Sequence, residues 1–194
     1  MLAAVILSGG ESRRMGSPKA LLEYQGRPFL EHLLQITRHP KIVTTRIVLG
    51  AGVEEIRRRL SLAEETVVLN PDWEQGQLSS IQVAIRSLPQ TGLDGMLLCL
   101  IDHPLISPAV VAALIHAFYE SGKRIALPTY KGKRGHPVIF ASSLFEELLT
   151  ASVEQGARAV VWAHAREVME VPTDEEGVVL NLNDPDALGR ALLR

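Results

Sequence analysis

The sequence predicts an open, mostly parallel α/β sheet of the Rossmann-like kind, with helices on both faces. Apolar runs rich in Val, Ile and Leu alternate along the chain with segments of helical period. Residues 96–101 are apolar almost without interruption, as expected for a strand covered on both faces. No segment is long enough to serve as a linker between domains, so we expect one domain spanning residues 1–194.

The elements follow one another in a regular order. The predicted strands are residues 3–7, 45–49, 66–69, 95–101, 124–127, 137–140, 167–171 and 178–180. The predicted helices are near residues 28–38, 53–61, 79–87, 108–121, 143–150, 156–163 and 185–193. Ser107 and Asp184 each precede a proline, which is a typical helix start, and Gly122 is placed to end the fourth helix.

Composition excludes several classes of protein. A hydrophobic share of 46 % argues against a disordered chain, and a net charge of -2 argues against nucleic acid or an anionic membrane as the main partner. The single cysteine, Cys99, excludes an internal disulfide framework. The apolar start of the chain lacks a basic region before it, and no run is long enough to span a membrane. We therefore expect a cytoplasmic protein.

The loop after the first strand is rich in glycine and cations, because residues 7–19 read LSGGESRRMGSPK. Gly9 and Gly10 would let backbone N–H groups approach an anion, and Arg14 and Lys19 would donate to phosphate oxygens. The spacing matches neither the Walker A loop nor G-x-G-x-x-G. The alternative is a solvated basic turn.

The most hydrophobic strand ends at Asp102, followed by His103 and Pro104. A carboxylate at this place, opposite a cationic loop, is suited to Mg²⁺, which prefers oxygen ligands and substrate phosphates. Asn183 or Asn181 could complete the ligand set, whereas Asp184 fits better as a helix N-cap. The alternative for Asp102 is that it caps the following turn.

Two further stretches resemble walls of a substrate site. In residues 70–81, Ser79 and Ser80 are placed either to donate to a base edge or to cap a helix. Residues 131–137 contain three cations in four positions, which suit an anionic acceptor or a solvated surface hairpin equally well.

Residues 7–19 resemble the signature of the MobA-like NTP transferases, a family that includes the molybdenum cofactor guanylyl- and cytidylyltransferases, and depart from it only at Ser8, where alanine is usual. Asn70-Pro71, Asp102-His103-Pro104, Gly135-His136-Pro137 and Asn183-Asp184-Pro185 follow in the expected order. The resemblance implies a fold of the nucleotide-diphospho-sugar transferase type. It also implies Mg²⁺-dependent transfer of a nucleoside monophosphate from an NTP to a molybdopterin-type phosphate, with release of pyrophosphate. A molybdoenzyme or its chaperone is the protein partner that it suggests.

The resemblance also assigns roles to residues. Arg14, Lys19 and Asp102 would be catalytic, with Asp102 and Asn183 holding the metal. The nucleotide would be bound by Leu7, Ser8, Gly9, Gly10, Lys19, Asn70, Gly76, Ser80 and His136.

The identity of the base stays open between two patterns. Gly9-Gly10 resembles the guanylyltransferase pattern, whereas residues 79–81 and 131–137 resemble the cytidylyltransferase branch, so that CTP is slightly favoured over GTP. A sugar- or polyol-phosphate acceptor, or a nucleotide-binding module without turnover, are the alternative functions.

Overall fold

A computed structural model describes residues 1–12, 16–183 and 185–192. The described residues form ten strands and seven α-helices. The strands are β1 (Leu2–Ser8), β2 (Glu23–Tyr24), β3 (Arg27–Pro28), β4 (Ile42–Leu49), β5 (Val67–Leu69), β6 (Gly95–Leu100), β7 (Ile125–Tyr130), β8 (Lys133–Arg134), β9 (Val138–Ala141) and β10 (Val168–Pro172). The helices are α1 (Phe29–Ile36), α2 (Val53–Arg59), α3 (Gln77–Ser87), α4 (Pro108–Ser121), α5 (Phe145–Thr150), α6 (Arg158–Ala163) and α7 (Pro185–Leu192).

The strands β10-β7-β9-β6-β1-β4-β5 lie side by side in that order in one open sheet, and β8 pairs with β7. Strand β1 runs parallel to both neighbours, with Ile6 opposite Ile47 of β4 and Cys99 of β6. Strand β9 is antiparallel to β6 and to β7. The predicted open, mostly parallel sheet is therefore confirmed.

Helices cover both faces of the sheet, because successive side chains of a buried strand point to opposite sides. On one face Ile6 packs in a cluster that includes Phe29 of α1, Ile56 of α2 and Leu114 of α4. On the other face Val5 and Leu7 pack with side chains of α3, α5 and α6, including Ile81, Leu148 and Val160. All seven residues of β1 are buried, which explains their unbroken apolar or small character.

Helix α4 begins and ends as the sequence predicts. The Ser107 hydroxyl accepts a hydrogen bond from the Val110 N–H at 3.3 Å, and Pro108 occupies the first turn. Gly122 ends the helix at φ 61°, a left-handed conformation that glycine adopts without steric cost. The predicted cap Asp184 lies outside the described residues.

The predicted strand at residues 178–180 is wrong. Glu176–Val178 form a short 3₁₀ turn within residues 173–183, a segment that we call the strap. Residues 178–182 of the strap bond to loops instead of a strand: the Val178 carbonyl accepts from the His136 N–H at 2.8 Å, and the Leu182 N–H donates to the Asp102 carbonyl at 2.8 Å. The short strands β2, β3 and β8, of two residues each, were not predicted.

None of the helices in the described ranges combines the length and the apolar character needed to cross a membrane.

Candidate active site

The site lies where the chain reverses its direction across the sheet. From β1 the chain proceeds to β4 and β5 on one side, and then returns to β6 on the other side of β1. Such a switch point opens a crevice at the carboxyl ends of the strands. A cavity of about 200 Å³ lies there, lined by Leu7, Gly9, Gly10, Lys19, Trp73, Gly76, Gln77, Ser80, Leu100, Ile101 and Asp102.

A larger groove of about 790 Å³ lies beside β4, lined in part by Arg38, Thr44 and Arg46. This groove is open to solvent, and neither Gly9 nor Gly10 lines it. Its Arg46 guanidinium already donates a hydrogen bond to Thr44 Oγ1 at 2.8 Å. We therefore place the chemistry in the smaller cavity, where strand ends converge.

Glycines shape the floor of this cavity by letting backbone segments meet. A Cβ atom on Gly50 would lie 2.5 Å from the Gly9 carbonyl oxygen and 2.5 Å from the Trp73 Cβ. The Gly9 carbonyl accepts from the Ala51 N–H at 3.0 Å, which fixes the loop after β1 against the end of β4. Gly10, in contrast, has no atom of the described residues within 4 Å of its Cβ position.

A buried hydrogen-bond network positions the polar wall. Asn70, only 2 % exposed, donates from Nδ2 to the hydroxyls of Ser79 and Ser80, both at 2.9 Å. Its Oδ1 accepts from the Asp72 N–H at 3.0 Å. Ser79 donates to the Gly76 carbonyl at 2.8 Å. Ser80 lines the cavity, and no group of the described residues accepts its hydroxyl proton, which can therefore be donated to an acceptor atom of a ligand.

Three charged or polar side chains converge at the mouth of the cavity. The Lys19 ammonium donates to Asn183 Oδ1, and its Nζ lies 3.5 Å from Asp102 Oδ2. The side chains of Lys19 and Asp102 are 16 % and 17 % exposed, so this ion pair is largely shielded from water. The Lys19 backbone N–H donates to Ser12 Oγ at 3.1 Å, which ties the lysine to the loop after β1.

This donor set fits a hard divalent cation. The Asp102 carboxylate oxygen and the Asn183 amide oxygen lie on either side of the Lys19 ammonium. The ammonium thus occupies the position that a metal ion bound to these two oxygens would take. Within the described ranges no group of three or more His, Cys, Asp or Glu side chains could hold a metal by itself. A cation here would accordingly take further ligands from a substrate, as Mg²⁺ commonly does with phosphates.

Two histidines lie on the far side of Asp102. The rings of His103 and His136 are 4.8 Å apart, and His103 Nε2 is 4.0 Å from Asp102 Oδ1. Burial lowers the pKa of His103, and burial together with the neighbouring His103 lowers the pKa of His136 to about 4. Both rings are neutral at neutral pH, so neither adds a cation to the site.

The strap positions Asn183 next to Asp102. The Ser107 hydroxyl and N–H donate to the Glu175 carboxylate at 2.6 and 3.2 Å. A Cβ on Gly177 would lie 2.0 Å from the Leu105 carbonyl oxygen, so the strap crosses the Asp102 loop backbone against backbone. The strap thus contacts residues 102–107 at three places: at Ser107, at Leu105 and at the Asp102 carbonyl, which accepts from the Leu182 N–H.

The structure brings most of the predicted site residues together. Those that line the cavity are Leu7, Gly9, Gly10, Lys19, Gly76, Ser80 and Asp102. Ser8 and Asn70 are buried outside the lining, His136 lies beyond Asp102, and Asn181 is exposed. Arg14 and Asp184 fall outside the described residues. Trp73 and Gln77 also line the cavity; they lie in the predicted wall at residues 70–81 without having been singled out. Gly50 was missed, although a glycine directly after the second long strand was a usable signal.

Comparison with known proteins gives a family match and several relatives. The family model described as the MobA-like NTP transferase domain matches residues 4–168. A molybdenum cofactor guanylyltransferase from Shewanella sp. (strain ANA-3) is 28 % identical over 187 residues, covering 94 % of this chain and 91 % of that protein. A nicotine blue oxidoreductase from Paenarthrobacter nicotinovorans is 31 % identical over 166 residues, covering 81 % of this chain and 79 % of that protein.

Solved structures of the same fold cover almost the whole chain. Rv0371c from Mycobacterium tuberculosis H37Rv superposes with a TM-score of 0.84 at 26 % identity and covers 100 % of both chains. A second structure, described as Rv0371C in complex with manganese, gives a TM-score of 0.77 at 25 % identity and covers 99 % of this chain and 98 % of that one.

Proposed function

The chain belongs to the MobA-like NTP transferase family, and we propose that it transfers a nucleoside monophosphate from an NTP to a phosphorylated acceptor of the molybdopterin type. Relatives named molybdenum cofactor guanylyltransferase support this acceptor. The observation that carries the proposal is the convergence of Lys19, Asp102 and Asn183 at the mouth of a glycine-lined cavity.

The reaction needs few protein groups. An oxygen of the acceptor phosphate attacks the α-phosphorus of the NTP, the bond to the bridging oxygen breaks, and pyrophosphate leaves with that electron pair. The attacking oxygen is already ionised, so no protein base has to remove a proton. Catalysis then consists of positioning the two phosphates and stabilising their charge.

The residues of the site have complementary roles in this scheme. Backbone N–H groups near Gly9 and Gly10 bind phosphate oxygens, and the Lys19 ammonium neutralises charge on the departing pyrophosphate. Asp102 and Asn183 would hold Mg²⁺, which when bound supplies Lewis-acid stabilisation and orients the phosphates. The manganese complex described for Rv0371C supports a divalent cation in this fold.

We propose that the nucleotide donor is CTP, so that the base in the cavity is cytosine. The cavity presents Ser80, whose oxygen is occupied by the Asn70 donor and whose proton is available, which suits an acceptor atom on a base edge. The resemblance of residues 79–81 and 131–137 to the cytidylyltransferase branch favours cytosine. The guanylyltransferase names of the relatives favour guanine, so the two nucleotides have to be compared directly.

Pyrophosphate release tests the proposal. Purified protein is assayed with CTP, GTP, ATP and UTP at saturating Mg²⁺, with and without a reduced molybdopterin-cofactor extract or a set of sugar and polyol phosphates. We expect acceptor-dependent release with the molybdopterin fraction and a higher kcat/KM for CTP than for GTP. A higher value for GTP would contradict the choice of base alone, whereas release only with a sugar or polyol phosphate would contradict the choice of acceptor.

A second assay measures oxidoreductase activity, because one of the relatives, at 31 % identity, carries that name. The same protein is incubated with NADH or NADPH and a quinonoid dye. Dye reduction without pyrophosphate release under any condition would overturn the nucleotidyltransferase proposal. Nucleotide binding without either reaction would indicate a binding module.

A further inference from the structure

The Lys19 ammonium occupies the position that a divalent cation would take. It donates to Asn183 Oδ1 and lies 3.5 Å from Asp102 Oδ2, and these are the two side-chain oxygens of the proposed metal site. Among the described residues it has no other polar side-chain contact. The metal ligands are therefore neutralised by a cation that belongs to the protein itself.

This arrangement has an electrostatic consequence for metal binding. Both members of the ion pair are more than four-fifths buried, so water screens the charges only in part. A divalent cation entering between Asp102 and Asn183 would meet the ammonium at close range, and the repulsion lowers its affinity. The metal gains the full attraction of the carboxylate only after the ammonium has moved.

Resting on the proposed function, we infer that Lys19 holds the metal site closed to free divalent cations until the phosphates of an NTP draw its ammonium away. The triphosphate offers stronger, multiply charged acceptors in the same cavity, whose lining includes Lys19, Gly9 and Gly10. Removal of the ammonium exposes Asp102 and Asn183 at the moment when nucleotide oxygens arrive to complete the coordination. Nucleotide and metal thus bind with positive coupling.

The remainder of the site keeps the two ligands in place when the lysine leaves. The Leu182 N–H donates to the Asp102 carbonyl at 2.8 Å, directly linking the Asp102 loop to the residue before Asn183. The Glu175 carboxylate accepts two hydrogen bonds from Ser107, which secures the strap at a second point. The backbone positions of the two ligand residues consequently do not depend on the Lys19 side chain.

The test measures metal binding rather than turnover. Free Mn²⁺ is counted by its solution electron paramagnetic resonance signal during titration of the nucleotide-free protein. For Lys19→Met, which keeps an unbranched apolar side chain, we expect Mn²⁺ to bind about tenfold more tightly than to the wild type, because one neighbouring positive charge is gone. Lys19→Gln, a polar replacement, serves as the second variant and should shift the affinity in the same direction.

A matched control removes a positive charge elsewhere. Lys41 lies at the opposite end of β1, where its carbonyl accepts from the Leu2 N–H, and its ammonium lies over the Tyr119 ring. Lys41→Met should leave the Mn²⁺ affinity unchanged. Thermal melts of all variants establish that each one folds.

Coupling is measured by repeating the titration with an α,β-methylene analogue of CTP. In the wild type the analogue should tighten Mn²⁺ binding strongly, and in Lys19→Met the tightening should shrink, because the closed state has been removed. Equal, weaker or undetectable Mn²⁺ binding by both nucleotide-free Lys19 variants would overturn the inference, whatever the wild-type turnover. Failure of the proposed function would appear separately, as absence of pyrophosphate release by the wild type.

Discussion

On the β1 side of Asp102, Gly10 and Gly76 border a cavity, and none of the residues that the structure describes comes within 4 Å of their Cβ positions. On the β9 side, a Cβ on Gly135 would lie 2.3 Å from the Val178 carbonyl oxygen, and one on Gly177 would lie 2.0 Å from that of Leu105. The first pair leaves room for a ligand, and the second lets backbone pack on backbone. Gly10 and Gly76 therefore serve binding, whereas Gly135 and Gly177 serve stability, as Gly50 does at the floor of the cavity.

The largest expected effect comes from Asp102 itself, which both sides share. Asp102→Asn removes the charge that would hold the metal and should lower kcat at least about a hundredfold, because a bound metal contributes several kcal/mol to the transition state. The melting temperature should stay close to the wild-type value. Asp94→Asn, at the opposite end of the sheet, is the matched control and should keep full activity. Near-normal turnover by Asp102→Asn would remove Asp102 from the mechanism.

On the β9 side we expect loss of stability. Gly177→Ala places a methyl group against the Leu105 carbonyl and should lower the free energy of unfolding by about 1–3 kcal/mol, since the backbone must shift to accept it. The displaced strap should also reduce activity, because it carries Asn183. Urea denaturation measures the change. Gly189→Ala, in α7, where no described atom lies within 4 Å of the Cβ position, should instead stabilise by about 0.5–1 kcal/mol. Equal stabilities of the two variants would show that the strap tolerates the extra volume.

On the β1 side the corresponding substitution should act on binding. The methyl group of Gly10→Ala meets no atom in the described ranges, so the unfolding free energy should stay within about 0.5 kcal/mol of the wild type. A methyl group at the cavity wall should raise the KM for the NTP about tenfold by reducing the room for its phosphates. Steady-state kinetics beside the urea curve separates the two effects. A stability loss as large as that of Gly177→Ala would refute the distinction between the two kinds of glycine.

An effect that is confined to acid pH concerns the histidines of the β9 side. The pKa of His136 is about 4 in the folded protein, against an ordinary value of 6.5. In the unfolded chain the His136 imidazole is therefore protonated below about pH 6.5, whereas in the folded chain it is protonated only below about pH 4. The free energy of unfolding should fall by up to about 3 kcal/mol as the pH drops through this window. His136→Gln should flatten this slope, whereas His116→Gln, at an exposed position of α4, should keep it.

The sequence predicts the half of the site that depends on local chain order. Gly9, Gly10 and Asp102 directly follow buried strands, and a parallel sheet brings the carboxyl ends of such strands together. The path of the strap could not be predicted, because the backbone of residues 178–182 bonds to loops, whereas the apolar character of residues 178–180 is typical of a strand. The pairing of Lys19 with Asn183, 164 residues apart, depends on that strap. The hydrophobic periodicity of the sequence and the spacing of its motifs do not predict a contact between side chains so far apart in the chain.

The location of the metal–nucleotide complex is the central claim, and paramagnetic broadening of backbone amide resonances tests it most directly. With Mn²⁺ and the α,β-methylene analogue of CTP bound, we expect the strongest broadening at Gly9, Gly10, Lys19 and Asp102. Resonances of Arg38 and Arg46, which line the larger groove, should stay sharp. Broadening centred on those arginines, with the resonances of Gly9 and Asp102 unaffected, would contradict the assignment of the active site.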